Sequence, residues 1–401
     1  MKIEAEKAKL YLRKKRCLSL KDIERRGDKV TICHIISHLD YGGAERVVFD
    51  LSKCLSLRNF DVFVIPFRKT PNRQTETKFK RELLENKAHV IDLKCSNNDF
   101  VRFLSLLKTL IKLKPDIIHT HTEIPDFYGG VASLFFPKVC FIRTLQNTYM
   151  WGGHYLLGRI TEFVLKYRSN KAIACSEDVF HYGLESLSIP YKKLILINNG
   201  IDSKKFTFKP FPYSMSNDRK MTIAVIGRLT CQKGHEIFLK ALTKISLNIL
   251  KRINVLFLGD GELRGHIEQF IKDHDLCNIV NLKGFVNIED YLDKIDIVCM
   301  PSRHEGLPIV ALEAMLSGKL LITSDAPGLK RLILNKEIGL TFPRDNYKEL
   351  ALLLEKVIIN LTNSHEKYLE IVENAKKNAL DNFNLEQMYS KYEELYLDIK
   401  K

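Results

Sequence analysis

The sequence lacks any long uninterrupted apolar run. Its longest apolar stretch, residues 131–142, contains Pro137 and Lys138. A membrane-spanning helix needs about 20 apolar residues, so none is expected. Proline and glycine are scarce, at 12 and 20 of 401 residues, which excludes collagen-like and low-complexity chains. With 45% apolar and 28% charged residues, the composition predicts a folded globular protein of about two domains.

Paired cysteines are also absent. The nine cysteines are spread singly, without a Cys-x-x-Cys pair, and most lie in apolar runs. We expect buried apolar side chains there rather than disulfides or zinc ligands. The N-terminal residues are charged throughout and lack the apolar segment of a secretory signal, so we expect a cytoplasmic protein.

Acidic residues are fewer than basic ones, at 48 against 63, which gives a formal net charge of +15. This balance favours nucleic acid, an anionic membrane surface or phosphorylated substrates as partners. No zinc finger, RNA-binding strand or helix-turn-helix is recognisable, so nucleic acid is not expected, and a nucleic-acid-binding protein is only a remote alternative. Residues 1–28 carry a net charge of +5. We expect either a solvated basic extension or a patch on anionic headgroups, peripheral to the inner face of the plasma membrane.

From residue 30 onward, short β-rich runs alternate with amphipathic helical patterns, which predicts an α/β fold with parallel, doubly wound sheets. The predicted strands of the first half are residues 30–37, 61–66, 89–93, 116–120, 140–144, 171–175 and 194–198. Those of the second half are residues 221–226, 253–258, 279–282, 296–300 and 320–323.

The strand pattern is interrupted once, by a Pro- and Ser-containing connector. We therefore expect an N-terminal Rossmann-like domain over 29–202, a linker over 203–220 and a second Rossmann-like domain over 221–382. A last helix over 383–401 is expected to pack back on the first domain. Ligands of such sheets bind beyond the carboxyl ends of the strands, so the site should lie in the interdomain cleft.

Three loops follow predicted strands and could bind a phosphorylated ligand. Gly42 and Gly43 lead into a helix and form either a tight turn or a phosphate site. Arg228 and Lys233 lie five residues apart and are either phosphate ligands or solvated cations. The loop containing Gly261 departs from the dinucleotide motif, because Arg264 replaces the third glycine. We expect it to line a nucleotide site without a nicotinamide cofactor.

Two glutamates stand out near a predicted helix over residues 307–317, bounded by Pro308 and Gly318. Glu305 precedes this helix, and simple stabilisation of the helix dipole would explain it. Glu313 lies inside an otherwise apolar helix, where burial is costly unless the carboxylate accepts hydrogen bonds. A pair of sugar hydroxyls is a good candidate for the group that donates these hydrogen bonds to Glu313.

From about residue 30 to its end, the chain resembles the family-4 retaining glycosyltransferases, which have the GT-B fold of two Rossmann-like domains. Four motifs in family order carry this resemblance: Gly42-Gly43-Ala44-Glu45, Asn199-Gly200-Ile201-Asp202, Gly227-Arg228-Leu229 with Lys233-Gly234, and the pair Glu305 and Glu313. The resemblance implies that Arg228 and Lys233 hold the donor diphosphate, assisted by the amides of Gly306 and Leu307. It also implies that Glu305 contacts the transferred sugar.

Further residues are assigned by the same resemblance. Glu313 would bind the ribose hydroxyls, and Gly42 and Gly43 would close over the donor phosphates. Phe285 and Val286 would lie near the base. The family needs no metal, and we found no Asp or His cluster with metal-ligand spacing. No cofactor is expected beyond a donor sugar linked to a nucleoside diphosphate, which we expect to be UDP.

The chain departs from the family pattern at a position that often holds a sugar-binding histidine. Gln146 follows the fifth predicted strand there, and His121 could substitute for the histidine. Lys319 replaces a proline of the family, at what we expect to be a surface position.

The expected activity is transfer of a hexose or N-acetylhexosamine to a glycan or lipid-linked acceptor, in cell-surface polysaccharide or lipopolysaccharide synthesis. A nucleotide-sugar epimerase or hydrolase on the same fold, or an inactive homologue, remains an alternative.

Overall fold

A computed structural model describes most of the chain. The described residues are 29–39, 42–70, 73–93, 98–151, 155–210, 219–333, 337–363 and 366–400. The expected basic extension, residues 1–28, lies outside them, as do residues 211–218 of the expected linker.

The first domain is built on a seven-stranded, all-parallel sheet in the order β3-β2-β1-β4-β5-β6-β7. Its strands are almost completely buried because helices cover both faces. They are β1 (Val30–Ile36), β2 (Phe60–Pro66), β3 (His89–Val90), β4 (Ile117–His121), β5 (Cys140–Leu145), β6 (Lys171–Ala174) and β7 (Leu194–Leu196). The helices are α1 (Gly43–Ser56), α2 (Arg73–Glu85), α3 (Asp99–Leu113), α4 (Glu123–Ser133), α5 (Tyr155–Arg168) and α6 (Glu177–Glu185).

The second domain repeats this plan with six parallel strands in the order β10-β9-β8-β11-β12-β13. They are β8 (Met221–Ile226), β9 (Ile253–Leu258), β10 (Val280–Gly284), β11 (Ile297–Met300), β12 (Leu320–Ser324) and β13 (Leu340–Phe342). The helices that follow are α7 (His235–Leu242), α8 (Leu247–Leu250), α9 (Arg264–Asp273), α10 (Glu289–Leu292), α11 (Ile309–Leu316), α12 (Tyr347–Asn363), α13 (Glu366–Asn382) and α14 (Leu385–Lys400).

The expected fold class is confirmed: two doubly wound α/β units follow one another along the chain. Each sheet reverses its strand order beside its first strand, between β1 and β4 and between β8 and β11. A crevice opens at the carboxyl ends of strands where the order reverses. The loops after β1 and β8 are therefore the expected positions of ligand-binding residues.

Local details differ from the expectations at two positions. Helix α11 begins at Ile309 because Pro308 is its extended N-cap residue, with φ −73° and ψ 118°. Lys319 is buried, and its ammonium donates a hydrogen bond to the Lys209 carbonyl oxygen over 2.7 Å. The expectation of a surface position for Lys319 is therefore wrong.

The last helix, α14, lies against the first domain. Its Tyr392 and Tyr396 are fully buried, and the Tyr396 hydroxyl lies 2.6 Å from Nδ1 of His119 on β4. Arg58, after α1, pairs with Glu393 at the edge of the same contact. The chain thus returns from the second domain and fixes its end on the first.

The described cysteines form no disulfide. Of these seven residues, Cys231 and Cys277 are exposed, contrary to the expectation of burial. No helix within the described ranges is both long and apolar enough to cross a bilayer.

We expect Tyr396→Phe to destabilise the docked C-terminal helix. Removing the hydroxyl leaves Nδ1 of buried His119 without its partner, at a cost of about 1–3 kcal/mol. In a protein of this size the thermal midpoint should fall by about 2–4 °C per kcal/mol. The matched control is Tyr389→Phe on the same helix, where the half-buried ring stacks on Arg58 and should tolerate loss of its hydroxyl. Equal midpoints for both variants would contradict the assigned role of the Tyr396 hydroxyl.

Candidate active site

The carboxyl ends of β8, β9 and β10 meet in a tight backbone junction. A Cβ on Gly259, which has φ 147°, would lie 2.0 Å from the Gly227 carbonyl oxygen. A Cβ on Gly261 would lie 2.5 Å from the Leu229 carbonyl oxygen. The Gly259 amide also donates to the Gly284 carbonyl over 2.9 Å. Only glycine fits such close approaches, so these three loops stand side by side at one edge of the sheet.

An ion pair joins the loop after β8 to the loop after β11. The Lys233 ammonium lies 2.6 Å from Oε1 of Glu305, whose residue is only 5% exposed. The Lys233 stem runs along Gly227, where an added Cβ would lie 3.1 Å from Cδ of the lysine. Gln232 Nε2 donates to the His304 carbonyl over 3.0 Å, which holds the two loops together. A charge-assisted contact of this kind, largely shielded from water, fixes both charged groups in place.

The first domain also forms hydrogen bonds to the loop after β11. Thr148 Oγ1 donates to the Glu305 carbonyl over 2.9 Å, and Ser176 Oγ donates to the Gly306 carbonyl over 3.2 Å. A Cβ on Gly306 would lie 2.1 Å from the Gln146 carbonyl oxygen, so the two backbones touch. Glu305 and Gly306 therefore lie at the contact between the two domains.

Glu313 lies in α11 with its carboxyl group buried. Burial is the main reason that the pKa of this carboxyl group is raised to about 7, and the negative charges of Glu289 and Asp50 contribute to the increase. The positive charge of Arg46 on α1 acts in the opposite direction and lowers the pKa. Arg46 is itself engaged by Asp50 at 2.9 Å. Within the described part of the chain, no group donates a hydrogen bond to the Glu313 carboxyl. A buried acceptor without donors is costly, and a ligand hydroxyl could relieve that cost.

Two helix N-termini converge beside these glutamates. Gly42 is the N-cap of α1, and a Cβ on Gly43 would lie 3.9 Å from Cγ1 of Ile309, the first residue of α11. Leu307, just before α11, is buried. Helix N-termini present unpaired amides and partial positive charge, so this corner of the cleft suits an anion.

Three further expected ligand-binding residues lie on the loops after β8 and β10. Arg228 is exposed on the loop after β8, and no hydrogen bond or ion pair to another described residue restrains its guanidinium. Phe285 and Val286 follow Gly284 at the end of β10, with Phe285 exposed and Val286 half-buried. Arg228 is therefore free to reorient toward a ligand, unlike Lys233.

Gln146 and His121, the two candidates at the position of the family histidine, occupy different environments. Oε1 of Gln146 accepts a hydrogen bond from Asn199 Nδ2 over 3.2 Å, while its Nε2 is buried without a described partner. His121 is fully buried on β4. Its role in sugar binding stays a prediction, and the burial of its ring argues against it.

One cluster was missed by sequence reasoning. His34, His119 and His121 lie together in the buried layer beneath α14, with candidate ligand atoms within 4.8 Å of one another. Pairing of β1 with β4 places His34 opposite His119, which is 85 positions later in the chain. The only sequence signal for the cluster was therefore the His-x-His pattern of β4. Both ring nitrogens of His119 already share hydrogen bonds, with Tyr396 and Thr144. Burial lowers the pKa of His34 to about 3, so the neutral ring is favoured.

Comparison with known proteins adds family matches over both domains. A model described as Glycosyltransferase Family 4 matches residues 41–205, and one described as Glycosyl transferases group 1 matches residues 211–378. A UDP-Gal:alpha-D-GlcNAc-diphosphoundecaprenol alpha-1,3-galactosyltransferase of Escherichia coli is 25% identical over 403 residues, covering 92% of this chain and 97% of that protein.

A second relative and two solved structures also match the chain over most of its length. A Campylobacter jejuni alpha-1,4-N-acetyl-D-galactosaminyltransferase that acts on an undecaprenol-linked glycan is 26% identical over 384 residues, covering 92% of this chain and 99% of that protein. HepE of Anabaena, in complex with UDP-glucose, superposes with a TM-score of 0.76 at 19% identity, covering 92% and 99% of the two chains. TarM of S. aureus, in a complex containing UDP, gives 0.73 at 13% identity with the same coverage.

We expect Glu313→Gln to stabilise the ligand-free protein by an amount that grows as the pH rises from about 4.5 to 7. The folded pKa of about 7 lies above 4.5, the ordinary pKa of a glutamate, so the folded state binds more protons between these values. Stability from this group is full below pH 4.5 and is lost as the pH rises through 7. The thermal midpoint of the variant should therefore exceed that of the parent by several degrees at pH 8. At pH 4.5 the two should differ little.

The measurement is a series of thermal unfolding curves from pH 4.5 to pH 8 without ligand. Glu262→Gln, an exposed glutamate of the same domain, is the matched control and should give no pH-dependent difference. A midpoint difference for Glu313→Gln that is the same at both ends of the series would rule out a buried titrating carboxyl.

Proposed function

Because the chain belongs to the family-4 glycosyltransferases and has their GT-B fold, we propose that it transfers a hexose or N-acetylhexosamine from UDP with retention of anomeric configuration. The acceptor in this proposal is a glycan or lipid-linked sugar of cell-surface polysaccharide or lipopolysaccharide synthesis. The undecaprenol-linked acceptors named for the Escherichia coli and Campylobacter relatives support the lipid-linked choice. UDP-glucose in HepE supports a UDP-linked donor.

The observation that carries the proposal is the contact between Lys233 and Glu305. It places a cation and a carboxylate 2.6 Å apart at the domain contact, beside two helix N-termini. The leaving group of the reaction is a nucleoside diphosphate, so negative charge develops on phosphate oxygens. Fixed cations and amides aimed at such oxygens stabilise the transition state without needing to reorganise.

Each charged residue has a distinct task in this scheme. Lys233 supplies a fixed positive charge, and the mobile guanidinium of Arg228 closes on the diphosphate when the donor binds. The amides of Gly306 and Leu307 contribute at the start of α11. Glu313 accepts hydrogen bonds from the ribose hydroxyls, which supply the donors that its buried carboxyl lacks.

The chemical step needs no enzyme nucleophile. The acceptor oxygen bonds to the anomeric carbon on the face from which the phosphate leaves, and its proton passes to the departing phosphate oxygen. The Glu305 carboxylate is already bound by the Lys233 ammonium at 2.6 Å. It therefore orients the sugar and balances positive charge on the anomeric carbon, in contrast to the general acid of a two-carboxylate hydrolase.

A metal ion is not required in this proposal. Cations and helix N-termini supply the positive charge that a divalent ion provides elsewhere. Two carboxylates of the nearby loops are already engaged, Glu305 by Lys233 and Asp260 by Arg264 at 3.1 Å. UDP-hexose transfer should therefore proceed at an undiminished rate, within about twofold, after treatment with EDTA. Loss of activity that Mg²⁺ or Mn²⁺ restores would contradict this expectation.

We expect Lys233→Ala, Arg228→Ala and Glu305→Gln each to lower kcat/KM for sugar transfer by about 10²–10³-fold, as loss of a charge-stabilising group does elsewhere. The measurement is UDP release from a panel of UDP-sugars, with a diphosphoundecaprenol-linked N-acetylhexosamine as acceptor. Lys240→Ala, an exposed lysine on α7, is the matched control and should retain full activity.

Two outcomes would overturn parts of this scheme. Parental turnover in Arg228→Ala would remove that residue from the diphosphate site. Rapid conversion of the donor without any acceptor would instead favour an epimerase or hydrolase. Retention is checked separately by the anomeric coupling constant of the product in an NMR spectrum.

A further inference from the structure

Helix α5 of the first domain exposes an unusual apolar stripe. Leu156, Ile160, Phe163 and Tyr167 recur at helical spacing and are 72%, 55%, 65% and 68% exposed. The opposite side of the helix is also apolar, since Leu165 is fully buried in the domain core. Surface helices ordinarily direct polar side chains to water. An apolar outer stripe of this length indicates a contact surface.

Two neighbouring turns extend the stripe at the C-terminal end of α5. Arg168 donates hydrogen bonds to the Ser133 and Val139 carbonyls, both over 3.0 Å, and so holds the turn that carries Phe135. Lys193 donates to the Lys166 and Tyr167 carbonyls over 3.0 and 3.1 Å, and holds the turn that carries Tyr191. Phe135 is 66% exposed and Tyr191 is 73% exposed. We call the stripe and these two aromatic residues the α5 surface.

Several basic residues accompany the α5 surface along the chain. Arg159 and Lys166 lie on α5 itself, and Lys138 and Lys192 lie in the turns that carry Phe135 and Tyr191 or directly beside them in sequence. The only acidic residue of α5 is Glu162, whose carboxylate is bound by the buried Arg143 at 2.5 Å. A second copy of this chain would bring these cations against one another, which is unfavourable. Apolar and aromatic residues bordered by lysine and arginine instead match a bilayer with anionic headgroups.

A short segment links the α5 surface to the candidate active site. The Gln146 backbone touches Gly306, and Thr148 bonds the Glu305 carbonyl. Three residues later Trp151 packs on α5, where an added Cβ on Gly158 would lie 2.5 Å from its side chain. The segment from Gln146 to Trp151 therefore connects α5 to the loop that carries Glu305 and Gly306.

We propose that the α5 surface lies on an anionic bilayer, so that a lipid-linked acceptor keeps its chain in the membrane while its sugar enters the cleft. This inference rests on the proposed function for its acceptor. The surface itself is defined independently of the chemistry, by exposure and charge. Loss of the surface should therefore leave donor binding intact.

The test is co-sedimentation of the full chain with vesicles of phosphatidylcholine alone or with about 30% phosphatidylglycerol. The double variant Ile160→Ser/Phe163→Ser should bind the anionic vesicles at least tenfold more weakly, because each side chain loses the burial of a large apolar group. Leu247→Ser/Leu352→Ser, two equally exposed leucines of the second domain, is the matched control and should bind like the parent. Lys138→Gln/Lys192→Gln should weaken binding to anionic vesicles only, and 0.5 M salt should remove that difference.

Parental binding by Ile160→Ser/Phe163→Ser would overturn the inference. So would a lipid-free dimer of the parent that this variant abolishes, since the surface would then belong to a second copy. Stabilisation by UDP-sugars is measured on the same preparations. If no UDP-sugar stabilises even the parent, the proposed function fails, whereas the vesicle result still decides the role of the α5 surface.

Discussion

The contact between Lys233 and Glu305 is the constraint on which the candidate site depends. Each partner lies on a loop after a strand of the second sheet, and each would be costly to hold near the domain contact without the other. Their pairing fixes the loop at Gly306, where the first domain adds hydrogen bonds from Thr148 and Ser176. One polar contact thus sets both the local charge and the fit of the two domains.

Two neighbouring groups are poorly satisfied without a ligand. The Glu313 carboxyl is buried and lacks a hydrogen-bond donor in the described structure, and Gln146 Nε2 is a buried donor without a described acceptor. Both defects lower the stability of the free protein, and both have the polarity that a ribose or a sugar would complement. Because the groups are already in place, donor binding in the proposed scheme would need little reorganisation. The free energy that these two groups lose without hydrogen-bond partners would then contribute to affinity and orientation.

Much of the fold could be predicted from the sequence because parallel strands buried on both faces leave a strong apolar signal. The predicted strands over 221–226 and 253–258 have the limits of β8 and β9. Strand β13 was missed, since it has three residues and only its last is buried. The glutamate pair could be recognised because a loop and a short helix keep both residues close in sequence. The histidine cluster could not, because strand pairing alone brings its members together.

The basic character of the chain is now divided between two places with different chemistry. In the cleft, Lys233 is paired and shielded, so its charge acts at short range on one group. Around the α5 surface, Lys138 and Lys192 stay exposed, so their charge acts over about a Debye length and is weakened by salt. In the proposed scheme, a water-soluble nucleotide sugar and a membrane-held acceptor pose these two separate demands. The short segment from Gln146 to Trp151 connects α5 to the domain contact, so the first domain would present the acceptor while the second holds the donor.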